Sequence, residues 1–222
     1  MNILIPNWPQ PSNIFAVTTL KDCNLDQLVL PPKVVWLQQQ HGNQILNADQ
    51  TDCNHPIIAD GSYTTKPNVA CVVKTADCLP ILVTNLSGNL AAALHAGWRG
   101  LANGILDNFL QKLEKLPVNL KQLIFWLGPA IGPSQFEVGQ EVLAQFDLKL
   151  YGSAFIPIPA KPDKFLANLY ALAKLNLELY GITTEQIYSQ YLCTKSDPNR
   201  FYSYRHQPQQ TQRMHSIIWI KP

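Results

Sequence analysis

The 222-residue chain is short of charge. Charged side chains make up 14% of it, and 17 Lys plus Arg nearly cancel 15 Asp plus Glu, leaving a formal +2. The basic excess of a nucleic-acid or anionic-membrane binder is missing, so neither partner is expected. No run reaches the ~18 apolar residues of a transmembrane helix. The opening Met1-Asn2-Ile3-Leu4-Ile5-Pro6 lacks a basic stretch followed by an apolar one, so no export signal is read there. Cysteine is scarce and odd in number: Cys23, Cys53, Cys71, Cys78 and Cys193 form no CxxC pair and no repeated framework. A disulfide scaffold is therefore excluded, and reduced thiols in a cytoplasmic location are expected. With 46% apolar residues, an extended disordered chain is excluded as well. The length suits one domain over residues 1–222.

What is present is a series of short apolar runs of mixed period. Pro6, Pro9 and Pro11 make the opening extended. Lys33 to Leu37 predicts a strand that ends at His41-Gly42, and the polar stretch 43–56 reads as loop. Val69–Val73 and Pro80–Thr84 predict strands on either side of Lys74-Thr75-Ala76-Asp77-Cys78. The turn-rich Asn85–Asn89 then leads into Leu90–Leu94 as a hairpin. Leu101, Ile105, Phe109, Leu113 and Leu116 recur at helical spacing. Leu123–Leu127 predicts a strand, and Glu137–Phe146 a short helix. Residues 163–180 predict the strongest helix, with Asp163 as N-cap and Gly181 as stop. Ile187–Cys193, Phe201–Tyr204 and Ser216–Ile220 predict the closing strands. The expected fold class is a layered α/β (α+β) sandwich with a mixed sheet.

Three residues stand out by local context. His41 closes a predicted strand before Gly42, Cys78 lies in a polar interruption between two apolar runs, and His95 ends a strand before the small Ala96-Gly97. Two imidazoles and a thiolate are good ligands for Zn or Cu, and three protein ligands leave one position open, as catalytic sites do. Gaps of 37 and 17 residues match no compact metal motif. Two other readings stay open: Cys78 as a small buried hydrophobe, and Cys78 as a nucleophile with His95 as its base. Asp60 and Asp77 are candidate catalytic or ligand-orienting carboxylates. Gln39, Arg99 and Arg205 are candidate substrate contacts. His55, His206 and His215 read as surface residues.

Several blocks stand in one order: Gln39-x-His41-Gly42, Ala59-Asp60-Gly61, Thr75-Ala-Asp77-Cys78-Leu-Pro80 and His95-Ala-Gly-Trp-Arg-Gly100. Gly128-Pro129-Ala-Ile-Gly-Pro133, Phe136-Glu-Val138, Cys193-Thr194 and Phe201-Tyr-Ser-Tyr-Arg205 follow. Together they resemble the YfiH-like family, also called the multicopper polyphenol oxidase or laccase-domain family. The resemblance implies one metal, usually zinc, held by His41, Cys78 and His95, with copper as the other metal ascribed to the family. It implies phosphorolysis of adenosine, inosine and methylthioadenosine, deamination of adenosine, and a link to peptidoglycan precursors. Purine nucleoside and phosphate are the partners it implies. The implied fold is similar to the catalytic domain of cytotoxic necrotizing factor, a Cys–His deamidase.

That second likeness keeps a thiol hydrolase or amidase as the runner-up. A non-catalytic nucleoside-binding protein and a copper polyphenol oxidase are further alternatives, though a laccase needs several coppers and the chain has five His. The chain departs from the family near its N-terminus. Thr18-Thr-Leu-Lys-Asp-Cys23 stands where members usually carry a Thr-Arg-x-Gly-Gly-x-Ser loop. Leu20 takes the Arg position, which implies a weaker grip on phosphate from that side.

Overall fold

The computed structural model describes residues 2–55 and 57–222. The loop predicted for 43–56 therefore includes one residue, Pro56, outside the described set. Two mixed sheets lie face to face. The first runs in the order Ile3–Leu4, Ile14–Thr19, Met214–Ile220, Val69–Thr75, Lys33–Val35; its last pair is parallel and the others antiparallel. The second runs Ile187–Ser189, Leu123–Leu127, Leu79–Asn85, Ala91–Ala96, Gly61–Thr64, Ile45–Asn47, with both outer pairs parallel.

Alternation along each strand sorts side chains between layers. Val69, Cys71, Val73 and Ile218 from the first sheet meet Leu82, Ala91, Ala93 and Trp126 from the second. On the far side of the second sheet, Ile81, Val83, Leu94 and Phe125 pack on the helices Ile105–Leu113 and Leu169–Leu179. The outer face of the first sheet is covered by Leu28 and its neighbours. Strands buried on both faces are apolar at successive positions, which is why Leu79–Leu82 and Leu123–Leu127 read as unbroken runs. Phe109, fully buried between sheet and helices, contributes about 3–5 kcal/mol by the usual cost of a Phe→Ala truncation.

The structure corrects several of the predicted elements. The helix expected over 163–180 begins only at Leu169. Asp163 is exposed in a strand, Lys161–Ala167, which pairs with Phe155–Ile158 and Glu137–Gly139. Asn168 is the true N-cap, its side chain accepting from the Ala171 N–H at 3.1 Å. Sheet pairing overrides a periodicity that ran on through Phe165 and Leu166. For the same reason the helix read at 137–146 is a strand, Glu137–Gly139, followed by one turn, Gln140–Leu143. The helix read over 101–116 is split, Trp98–Ala102 and Ile105–Leu113, at Gly104 with φ +76°. Phe201–Tyr204 is not a strand: Phe201 and Tyr202 are buried in irregular backbone around Met214. Ile187–Cys193 stops as a strand at Ser189. Ile45–Asn47 lies inside the expected loop. Ile14–Thr19 is an interior strand, second from the edge of the first sheet, that the reading of the opening did not include.

Val69–Thr75 belongs to the first sheet and Leu79–Asn85 to the second. The polar interruption between them is therefore the crossing from one sheet to the other. Cys78 sits on that crossing.

Candidate metal centre

Pairing of two strands sets the first two side chains. His95 is on Ala91–Ala96 opposite Pro80, and Ala96 pairs with Leu79, so Cys78 lies just beyond the end of that ladder. The chain leaving Ala96 turns at Gly97 beside it. A Cβ on Gly97 would lie 2.8 Å from the Cys78 Sγ and 3.4 Å from the His41 Cδ2. Glycine thus leaves the room in which the three side chains meet. Their ligand atoms, from His41, Cys78 and His95, all lie within 4.8 Å of one another, and the two imidazoles meet edge to face at 4.7 Å between centroids. His95 is buried, Cys78 half-buried and His41 exposed, so the cluster opens on one side.

Asp60 ties the His41 segment to His95. Its carboxylate accepts the backbone N–H groups of Gln40 (3.2 Å), His41 (2.9 Å) and Gly42 (2.8 Å), and it pairs with His95 Nδ1 at 2.8 Å. His41 has φ +59°, a left-handed conformation that costs a non-glycine residue energy. Three converging N–H bonds to one buried carboxylate hold it there. With Nδ1 bonded to Asp60, His95 presents Nε2 to the cluster; carboxylate–imidazole–metal chains use this arrangement to fix tautomer and ring orientation. The Ala59-Asp60-Gly61 block carried this signal in the sequence.

The electrostatics suit a thiolate. Burial alone would raise the Cys78 pKa, but hydrogen bonds from His41 and His95 outweigh it and bring the thiol below its ordinary value. Burial would lower the His95 pKa, yet hydrogen bonds to Asp60 and Cys78 push it up. Burial would also raise Asp60, and the His95 and backbone hydrogen bonds bring it down. Two imidazoles and a thiolate with room between them fit a zinc-type donor set.

The cluster lies in the wall of a cavity of about 930 Å³. Arg99 and Arg205 also line it. The Arg99 guanidinium stacks 4.4 Å from the Trp98 ring centroid; that of Arg205 lies 5.1 Å from Phe136 and donates to the Glu137 carbonyl at 2.9 Å. Gln39 and Asp77 line it as well, but their polar groups are engaged elsewhere. Gln39 pairs reciprocally with the N–H and C=O of Lys74, both at 2.8 Å, like an extra strand where Lys33–Val35 has already ended. Asp77, at φ +87°, accepts the Thr194 hydroxyl at 2.6 Å and the Arg205 N–H at 2.7 Å. Both therefore brace the loops that carry His41 and Cys78.

His215 is half-buried on the cavity wall rather than on the open surface. Lys74 and Arg213 share that wall and were not singled out from the sequence. The position of Arg213 two residues before His215 was the available signal. His55 and His206 are exposed, as expected.

The two packed mixed sheets, the covering helices and the His-Cys-His cluster define an α/β protein with a metal-competent pocket. Residues 16–221 match the family described as multi-copper polyphenol oxidoreductase laccase, and the chain belongs to that family. A Haemophilus influenzae protein named purine nucleoside phosphorylase is 36% identical, with all of each chain covered. That alignment spans 252 positions against 222 residues here, so the relative carries residues this chain lacks. The Escherichia coli purine nucleoside phosphorylase YfiH is 36% identical over 98% of each chain. The crystal structure of a Neisseria meningitidis DUF152 protein, 34% identical, superposes with a TM-score of 0.90 over all of both chains. No helix among the described residues is long and apolar enough to cross a membrane.

Proposed function

We propose that this chain is a purine nucleoside enzyme of the phosphorylase type that works with one zinc ion at His41, Cys78 and His95. The observation that carries the reading is the three-ligand cluster opening into a cavity of about 930 Å³, within the size range of small-molecule sites. The names of the relatives support the nucleoside and phosphate as substrates. Bound there, the metal would supply Lewis-acid polarisation of a substrate oxygen. The chain's own residues do the rest. Asp60 holds His95 and the His41 loop in place, Gly97 keeps the cradle open, and the guanidinium groups on the wall favour an anionic group on the ligand. Adenosine, inosine and methylthioadenosine are the substrates of this reading, and deamination of adenosine is its second activity.

Metal-loaded protein incubated with inosine and phosphate should release hypoxanthine and ribose 1-phosphate. Adenosine should give adenine with phosphate and inosine without it. If no base and no inosine form, the nucleoside reading fails.

A second reading rests on the same geometry. Asp60, His95 and Cys78 stand in line as a carboxylate, base and thiolate, the arrangement of thiol hydrolases. Metal-free protein that turns over an amide substrate while an electrophile labels Cys78 would favour it.

A further inference from the structure

One wall of the cavity carries cations that no carboxylate answers. Lys74 stands opposite His215 in the first sheet, and the register that sets Ser216 against Thr18 sets His215 against Thr19. Directly opposed residues share a face, so Lys74, His215 and Thr19 form one row across three strands. Arg213 lies two positions before His215, just outside the strand, and all four residues line the cavity. The row is fixed in place. The Thr19 hydroxyl accepts the His215 N–H at 2.8 Å, and Gln39 holds the Lys74 backbone from the other side.

Arg213 donates Nη1 to the carbonyls of Gln210 (2.9 Å) and Gln212 (2.8 Å). Among the described residues, its Nη2 and Nε have no protein acceptor, and neither it nor Lys74 lies within 4.0 Å of a carboxylate. Asp77 also lines the cavity, but it is 7% exposed and engaged by Thr194 and Arg205. Two half-buried cations without a counter-charge make this wall electropositive, and an anion entering the cavity would meet both. The other two guanidiniums are differently placed: Arg99 rests on Trp98, and Arg205 on Phe136 with one nitrogen already bonded.

We propose that Lys74 and Arg213, flanked by His215 and Thr19, form the site for inorganic phosphate. A guanidinium edge from the segment before Met214–Ile220 and an ammonium from Val69–Thr75 can hold one oxyanion from two directions, and the imidazole adds a hydrogen-bonding group. This assignment rests on the phosphorolysis reading. In that reaction a phosphate oxygen forms the new bond to the anomeric carbon of the ribose as the glycosidic C–N bond breaks. The electron pair of that bond goes to the base nitrogen, and the proton of the phosphate hydroxyl ends on it.

The test uses Lys74→Met and Arg213→Gln in the full, metal-loaded chain. Steady-state kinetics give separate KM values for phosphate and inosine, and ³¹P line broadening without nucleoside reads phosphate binding directly. Each variant should raise the phosphate KM at least tenfold, weaken direct binding to match, and leave the inosine KM within twofold. The assignment is overturned if both leave the phosphate KM within twofold, or if Arg99→Gln or Arg205→Gln raises it and these two do not. Should the wild-type chain show no phosphorolysis, the activity reading falls and direct binding decides the anion site. Binding weakened tenfold in both variants supports the site; no binding by the wild type, or equal binding by all three, overturns it.

Discussion

Asp60→Asn removes one charge and almost no volume, and the geometry says what that should do. Oδ1 takes the His41 N–H and His95 Nδ1; Oδ2 takes the N–H groups of Gln40 and Gly42. An asparagine keeps one oxygen. Whichever way its amide turns, two of the four donors then face an NH₂ group instead of an acceptor. Leaving a donor unsatisfied costs about 1–3 kcal/mol, and the half-exposed loop lets water answer part of that, so a stability loss of about 2–4 kcal/mol is expected. The same change frees the His95 ring and releases the left-handed turn at His41, so zinc affinity should fall about 10–100-fold. Urea unfolding of metal-free protein reads the first effect and zinc competition against a chromophoric chelator reads the second. A variant with wild-type zinc affinity and stability within 0.5 kcal/mol would refute the view that Asp60 joins the two ligand-bearing segments.

Gly97→Ala keeps an accessible backbone, since φ is −71°, but places a methyl group 2.8 Å from the Cys78 Sγ. It should destabilise by about 1–3 kcal/mol and lower zinc retention on dialysis; full retention would contradict the cradle. His215 is held to a pKa of about 4 by burial first and then by Lys74. Because its folded pKa lies below the unfolded 6.5, the unfolded chain binds more protons between those values. The stability it lends is therefore complete above pH 6.5 and lost as pH falls toward 4. Partial exposure reduces this to about 1–2 kcal/mol. His215→Gln should flatten that limb of the stability profile, and parallel profiles for variant and wild type would exclude the effect. Cys71 is fully buried and its thiol is pushed up to about 12 by burial. At pH 8 a disulfide reagent should label exposed Cys53 within minutes and reach Cys71 only after denaturant is added; rapid labelling of Cys71 in native protein would count against the packed inter-sheet layer.

The three candidate ligand residues were legible one at a time, because each stands at the polar end of an apolar run. Their convergence was not legible from spacing. It arises when Leu79–Asn85 pairs with Ala91–Ala96 and the crossing between two sheets brings Cys78 to the Gly97 turn. The ordered motif blocks supplied the convergence through resemblance instead. Strands whose two faces are both buried were plain in the sequence as continuous apolar runs. Ile14–Thr19 was missed because its polar Thr18 and Thr19 are satisfied inside the sheet, Thr18 by Ser216 at 2.7 Å. The 163–180 helix was overextended because Phe165 and Leu166 continue a helical stripe while pairing as strand. The anion-binding wall was invisible for a related reason. Lys74 and His215 are distant in sequence and become neighbours only through antiparallel register.

Zinc stoichiometry tests the central claim most directly. Purified wild-type chain and Cys78→Ala, both exposed to excess zinc and dialysed, are compared by elemental analysis. The account predicts close to one tightly held zinc per wild-type chain and a near-complete loss in the variant. Substoichiometric zinc that Cys78→Ala leaves unaltered would contradict it.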